Sequence, residues 1–557
     1  MVYKRQVLAL GDLRPVEAQA LVDSCGVPVE SRGPLLAFAG GHPLALLLGA
    51  AVAVKDGGAS RRWVPDQDVV ATLLDQLVGE LPSAAHRHAL EICAHAYMTT
   101  EELLRAALPR DAGALFGWLR RLPFVESCRL GLFPHDVVRE LLEADLRWRD
   151  PQGYAVMHDR IHAHLAAKVR TASDGDVPGA VAALLYLHRD SGASSDFHRG
   201  VRRGRHDGGE FQEEVLRQQD LGTLLRVATA EGAASARCAA FWAERRPEAF
   251  RLYRRAETGE VVAFSAWLRL AELDEQELAA DPIVAAAWAH ARATTPLRAG
   301  EHLAVSRLWA LPPERGHSPV MDVIQWRMIG TCLRAERMAW SYIAARHPDQ
   351  AWVECLRRYG MRDIDEQPRL DDDTYTLLVH DWRAVPAQAW LERMNHLLAA
   401  GPAGDPNAAT TELAVLTEAE FAEAVRKALR QLSRPDALAA SPLTRTWLIT
   451  EQARQARKNP ARQAGQAGQN PARQDPATAL GNLLRQAIDD LRQDPRSVKL
   501  HRALTATYLR GTPTQELAAE QLRLPFTTYR RHLTAGIQRL CADLWHQELY
   551  GTNTPAR

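Results

Sequence analysis

Residues 249–270 read AFRLYRRAETGEVVAFSAWLRL. Two β-type runs flank Thr258-Gly259, a pair suited to a tight turn, so the stretch predicts a β-hairpin. Working outward, EHLAVSRLWAL (301–311), MAWSYIAAR (338–346) and DTYTLLVHDW (373–382) are further strand candidates. Helical patterns lie between them. Strands alternating with helices predict an α/β or α+β domain over 248–395.

The rest of the chain reads differently. Residues 12–26 carry a helix signature, with Asp12 as a plausible cap and Gly26 as the stop. LLAFAGGHPLALLLGAAVAV (35–54) is almost uncharged, but Gly40-Gly41 and Pro43 shorten any continuous helix to about Pro43–Val54. That is a core helix in length, since a bilayer needs about twenty apolar residues. Residues 99–170 predict a compact unit of two helices, a hairpin near Arg129-Leu130-Gly131 and a third helix, HDVVRELLEADLRWR. Residues 451–477 repeat NPARQ and lack apolar periodicity, so a disordered linker is expected. The expected architecture is multidomain and mainly α. It comprises a helical lid (1–98), a winged helix (99–170), helical segments (171–247 and 396–450), the α/β domain (248–395), the linker (451–477) and a helix-turn-helix (478–557).

Totals narrow the function. The chain has 557 residues, 24% of them charged, with a formal net charge of zero. Any nucleic-acid contact must therefore come from a local patch. Only six of the 68 basic residues are lysine. The seven cysteines form no Cys-x-x-Cys pair, which argues against a metal ribbon and a disulfide framework. MVYKRQVLAL lacks the apolar core of a signal peptide, so a cytoplasmic location without membrane insertion is expected.

The 248–395 region resembles a GNAT-type acetyltransferase fold. RRAETGEVVAFSAWLRL looks like that family's early hairpin. VSRLWALPPERGHSPVMDVIQWRMI looks like its central strand, acetyl-CoA loop and helix, and QAWVECLRRYGMRDIDE looks like its late helix. The resemblance places the acetyl-CoA loop at Arg315 and Gly316. Here the second glycine of the loop is missing, and Pro319 removes an N–H from a phosphate-wrapping loop. Both departures count against acetyl-CoA. Glu301, Glu314 and Tyr359 are acid–base types that nothing in the sequence singles out.

LGDLRPVEAQALVDSCGVP (10–28) and LLAFAGGHPLALLLGAA (35–51) resemble the lid of STAND-class, NB-ARC-like signalling ATPases. The resemblance implies an adenine-bordering turn at Gly41, His42 and Pro43. It also implies a histidine that senses the nucleotide's phosphate. His135 suits that role by its place after a hairpin, and His158 by the letters Met157-His158-Asp159. No Gly-Lys dipeptide occurs, so a P-loop is missing. ATP or ADP would then need a P-loop supplied elsewhere, and catalysis by this chain is not expected.

PTQELAAEQLRLPFTTYRRHLTAGIQRLCADL (513–544) resembles the helix-turn-helix of sigma-factor region four. The resemblance implies DNA contact through Thr528, Tyr529, Arg530, Arg531, His532 and Arg539, with Arg523 where the family has its turn glycine. Residues 500–557 hold seven Arg against four acids, a modest basic footprint. The sequence therefore points first to a signalling or transcription-regulatory protein with DNA, protein partners or self-association. An N-acetyltransferase with regulatory appendages is the alternative.

Overall fold

The computed structural model describes residues 13–39, 41, 43–55, 81–108, 110–122, 124–189, 210–311, 318–346, 350–399, 412–458, 475–512 and 514–550. The described residues are mainly helical, with one large mixed sheet and one small hairpin among them.

Helices α1 (Pro15–Ser24), α2 (Val29–Ala39) and α3 (Pro43–Lys55) come first. Their apolar contact joins Val22, Leu35 and Leu46. The apolar stretch 35–54 is thus broken between α2 and α3. Gly41 takes φ +94°, and its carbonyl accepts the Leu13 N–H at 2.9 Å. No described helix is long and apolar enough to cross a membrane.

Next come α4 (Ala84–His95), α5 (Glu101–Ala107), α6 (Ala112–Leu119), the hairpin β1 (Val125–Cys128) and β2 (Gly131–Pro134), then α7 (Asp136–Arg149). Thr100 caps α5, its hydroxyl accepting the Leu103 N–H at 3.1 Å. Thr99 bridges to Leu132 as a third strand edge. Gly131 makes this possible: at φ +145°, a Cβ there would sit 2.6 Å from the Thr99 carbonyl oxygen. The helix–helix–hairpin–helix order is the one expected for 99–170. Leu141 of α7 joins the α1–α3 contact.

Helices α8 (Pro151–Thr171) and α9 (Val177–Leu185) lead to the α/β unit. Helix α9 lies against a later helix, α14 (Pro319–Arg334), at Gly330, where a Cβ would meet the Val177 Cγ1 at 2.2 Å. The α/β unit runs β3 (Phe211–Val215), α10 (Leu221–Thr229), α11 (Ala233–Arg245), β4 (Phe250–Arg255), β5 (Val261–Leu270), α12 (Glu275–Ala280), α13 (Pro282–Thr294), β6 (His302–Ala310), α14, β7 (Met338–Arg346), α15 (Gln350–Arg358), β8 (Arg362–Asp363), β9 (Arg369–Leu370) and β10 (Asp373–Asp381). Strand order is β3-β4-β5-β6-β7-β10-β8, with β9 also on β10.

One boundary of the α/β unit differs from the sequence reading. The sheet begins at Phe211, inside the span 171–247 read as helical. Its first strand, FQEEV, is a short edge strand whose acidic residues mask the β-pattern. Helix α16 (Ala387–Ala399) closes the unit.

The C-terminal helices are α17 (Glu418–Arg430), α18 (Pro435–Ala439), α19 (Trp447–Lys458), α20 (Pro476–Asp490), α21 (Val498–Leu504), α22 (Gln515–Gln521) and α23 (Phe526–Tyr550). Helix α19 extends through 451–458, so the start of the expected linker is helical; 459–474 lie outside the described residues. Phe421, Val425, Leu484, Leu504 and Tyr529 share one core. The end of α23 reaches the α/β unit, where the Arg337 Nη1 donates to the Leu549 carbonyl at 2.9 Å.

Candidate functional site

The expected hairpin is β4–β5, the expected central strand β6, and the expected late helix α15. Their arrangement creates the feature that matters most. Strands β6 and β7 are the one parallel pair in the described sheet. Their ladder runs from His302↔Met338 to Ser306↔Ile343 and stops there. Strand β6 continues to Ala310 on β5, and β7 continues to Arg346 on β10. The two strands therefore part like a wedge, between 307–310 on one side and 344–346 on the other. Backbone direction alternates along a strand. The Leu311 N–H pairs with the Val262 carbonyl on β5 at 2.9 Å, so the Leu308 and Ala310 amides face the wedge. The Ala310 N–H bonds there to Glu231 Oε1 at 3.1 Å.

One face of the sheet beside the wedge is apolar. Met328 and Ile329 of α14, Ile343 of β7, and Trp352 and Leu356 of α15 line a slot of ≈ 60 Å³. Ser318 caps α14, its hydroxyl accepting the Met321 N–H at 3.4 Å. Pro319 is the first residue of that helix, where a missing N–H removes no bond that the helix needs. The sequence reading that Pro319 takes away a donor is corrected on this point. Arg315 and Gly316, the expected loop, lie outside the described residues, as does Glu314.

The opposite face is polar and buried. Arg307, 3% exposed, donates from Nε to Asp281 at 3.1 Å. Asp281 also accepts from Trp242 Nε1 at 3.0 Å and from the Ile283 N–H at 3.0 Å, capping α13. Burial works against the charge on Arg307, but Asp281, Tyr375 and Glu231 outweigh it. Tyr375 lies directly opposite Arg346 across β10 and β7, and its ring centroid is 5.7 Å from the Arg307 guanidinium. Burial raises the pKa of the Tyr375 phenol, Glu231 adds to that, and the two arginines oppose it. Arg346 pairs with Asp373.

Glu231 reaches this face from the α10–α11 turn. That turn is pinned: the Ala234 N–H donates to Asp371 Oδ2 at 2.8 Å. Gly232, at φ +141°, leaves room for the same oxygen, which a Cβ would meet at 2.4 Å. Gly232→Ala is expected to lower stability by about 1–3 kcal/mol through backbone strain and the displaced carboxylate. Urea denaturation checks it; an unchanged midpoint counts against the pinned turn.

Thiolate chemistry at neutral pH is disfavoured at three buried cysteines. Burial pushes Cys93 up to about 11, and Cys238 and Cys332 up to about 12. Glu301 sits at the other end of β6, accepting the Arg298 N–H at 2.8 Å and pairing with Arg383, away from the wedge. Tyr359 ends up at the far end of the apolar slot, its carbonyl accepting the Trp390 Nε1–H at 2.8 Å.

The other expected sites fall as follows. Gly41 is buried and Pro43 exposed, while His42 lies outside the described residues. His135 follows β2 and precedes α7, in the context expected of it, with Nδ1 3.3 Å from Glu126. His158 is buried mid-helix in α8. It bonds to His95 at 2.9 Å and to Asn395 at 2.7 Å, and His95 bonds to Glu143 at 2.6 Å. In the region expected to form a helix-turn-helix, Thr514 caps α22 and Arg523 takes φ +54°. Arg530, Arg531 and Arg539 are exposed, Thr528 and His532 half-buried. Tyr529 is corrected: it is 0% exposed, with its hydroxyl against Thr507, and faces the core.

Sequence reasoning missed Glu231, Arg307, Arg346 and Tyr375. One signal was present. Arg307 places a guanidinium in a largely apolar strand, HLAVSRLWA, and a charge at such a position is paired or functional.

No protein-family model and no curated protein matches the chain. Some solved structures resemble part of it. A protein described as a phosphinothricin N-acetyltransferase shares 11% identity, covers 31% of this chain and 98% of its own, and gives a TM-score of 0.20. A Salmonella typhimurium protein described as an acetyltransferase, solved with acetyl-CoA, shares 9%, covers 31% and 94%, and scores 0.20. A ribosomal-protein-alanine N-acetyltransferase of Brucella melitensis shares 10%, covers 30% and 98%, and scores 0.19. At these scores the likeness fixes neither fold nor activity, and the α/β unit rests on its own strand order and register.

Proposed function

We propose that the α/β unit of this chain is an acyl-CoA-dependent N-acyltransferase core of GNAT type. The observation that carries the reading is the parting of β6 and β7 after Ser306↔Ile343. Strand edges that lose their partner favour an extended ligand with amides of its own. The pantetheine arm of coenzyme A is such a ligand, with two amides in an extended chain. The Leu308 amide faces the place it would take, beside the Ala310 amide that Glu231 already accepts. The apolar slot between α14 and α15 suits the arm's methylene and gem-dimethyl groups. At ≈ 60 Å³ it is smaller than the arm, so entry requires Ile343 and Trp352 to re-pack. The letters of the 312–319 loop weighed against acetyl-CoA; Pro319 at the first turn of α14 removes half of that objection.

Titration calorimetry with acetyl-CoA tests the reading. Saturable binding with a Kd of roughly 1–100 μM is expected, an affinity that already carries the cost of re-packing Ile343 and Trp352. No heat at millimolar acetyl-CoA would overturn it.

A second reading concerns the C-terminal region. Arg523 at φ +54° lies between α22 and α23, and Arg530 and Arg531 are exposed in the first turns of α23; both support reading this pair as a DNA-binding helix-turn-helix. If that surface holds DNA, Arg530→Ala with Arg531→Ala is expected to weaken binding and to reduce its salt slope by about 2. Electrophoretic shift across a salt series measures this, and an unaltered slope overturns the reading.

A further inference from the structure

We infer that the cleft between the α/β unit and the C-terminal helices is a second ligand site, which takes a small carboxylate with an apolar body. Glu301 and Met338 place the cleft at the start of β6 and β7, the end opposite the wedge. The inference therefore stands apart from the acyl-CoA reading. The cleft holds ≈ 360 Å³, within the range of small-molecule sites. Both sides of the seam build it. The α/β unit supplies Arg298, Arg337 and Met338, α19 supplies Trp447, and α23 supplies Glu548 and Tyr550.

Hydrogen-bond and charge balance select an anion. A third lining arginine, Arg383, is already matched. It pairs with Glu301 and Asp381 and donates to the Pro296 and Thr295 carbonyls at 3.2 Å each. Arg298 and Arg337 differ: among the described residues neither pairs with a carboxylate. Arg298 Nη2 donates to the Leu416 carbonyl at 2.6 Å, and its Nε is buried with no hydrogen-bond partner. Arg337 donates to the carbonyls of Leu549 at 2.9 Å, Gly300 at 3.4 Å and Ala299. Carbonyls orient a guanidinium but leave its charge uncancelled, and a carboxylate is the acceptor it fits best. Glu548 accepts the Leu448 N–H at 2.8 Å. Burial pushes its carboxyl up to about 7, so near neutrality it repels an incoming anion with less than a full charge. Two unmatched cations thus face one partly charged carboxylate.

The two cations are also held in place. Arg337 takes φ +58°, a left-handed conformation that residues other than glycine seldom adopt. Such backbone persists where its surroundings fix it, and it clusters at ligand sites. The Arg337 guanidinium lies 4.4 Å from the Tyr550 ring centroid, and that of Arg298 lies 4.9 Å from the Trp545 centroid. The other walls are apolar. Trp382 spends its indole N–H on the Ser341 hydroxyl at 2.9 Å, which leaves its ring, with Met338 and Trp447, to cover a ligand's body. A bare inorganic anion would leave those walls uncovered, and an apolar amine would meet the guanidiniums.

Titration calorimetry on the full chain tests the site. The probes are benzoate and hexanoate, their amides, and inorganic phosphate. At least one carboxylate is expected to bind with a Kd below about 1 mM, roughly 10-fold or more tighter than its amide, the scale of a charge-assisted hydrogen bond. Arg298→Gln and Arg337→Gln are each expected to collapse that ratio towards one. Val415→Trp, which fills the cleft and keeps both arginines, is expected to abolish binding. Thermal melting checks that each variant folds, and any one that folds decides. Absence of saturable carboxylate binding overturns the inference, as does equal affinity for acid and amide. Tighter binding of phosphate than of either carboxylate overturns it too, and so does an unaltered ratio in a folded arginine variant.

Discussion

Asp281→Asn is expected to destabilise the α/β unit by about 3–5 kcal/mol, the range for breaking a buried ion pair from one side. Asp281 is fully buried and serves four donors: Arg307 Nε, Trp242 Nε1, and the Ile283 and Val284 N–H groups. The amide keeps the size and one oxygen, so the cap of α13 survives in part. Its NH₂, however, now faces Arg307 and Trp242, both of which donate. Arg307 is left with its charge, 3% exposed, and no counter-ion at that end. Trp242→Phe removes one neutral bond from the same oxygen and leaves a cavity at a fully buried position, and is expected to cost about 1–3 kcal/mol without stranding a charge. The contrast separates a charge effect from a packing effect. Chemical denaturation of both variants reads it; similar losses would mean that the Arg307 charge does not depend on Asp281.

The same strand shows what could be read from the letters and what could not. The hairpin at 250–270 and the strands at 302–310, 338–346 and 373–381 were legible, because β-branched and aromatic residues cluster there between turn signals. Strand β3 was not, since an acidic edge strand is built to look unlike a core strand. Tyr529 was misread although its fate is written in the sequence. Residues 529, 533, 540 and 544 fall on one stripe of α23, and all four are buried. A reader of DNA bases would have to leave that stripe, as Arg530 and Arg531 do. Glu231 was beyond reach. Its partner Ala310 lies 79 positions away, and no local pattern announces that pairing. Pro319 shows the reverse error. A residue judged by what it lacks, an N–H, stands at the one helical position where the lack is harmless.

Glu143→Gln is expected to cost a similar 3–5 kcal/mol, in the helical region that precedes the sheet. Glu143 pairs with Arg189 and accepts from His95 Nδ1 at 2.6 Å, all within the interior. Arg189 also donates to the His95 and Tyr186 carbonyls, at 3.1 and 3.2 Å, so the lost carboxylate strands its charge without freeing it to move. The pH dependence of this cost follows from the same contacts. Burial raises the Glu143 pKa, but the His95 hydrogen bond and the Arg189 charge outweigh it and hold the carboxyl down to about 2. The unfolded chain, at the ordinary 4.5, binds the proton sooner. The stabilisation is therefore full above pH 4.5 and is lost as pH falls towards 2, roughly 3 kcal/mol in all. Burial also keeps His95 neutral down to about 4, well below its ordinary 6.5, so acidification from 6.5 removes stability by that route as well. Unfolding free energies measured from pH 7 to pH 3 should fall for the wild type across both windows. In Glu143→Gln the lower window should flatten, because no carboxylate remains to be protonated. Parallel curves for the two proteins would show that Glu143 is not the group whose protonation loosens this core.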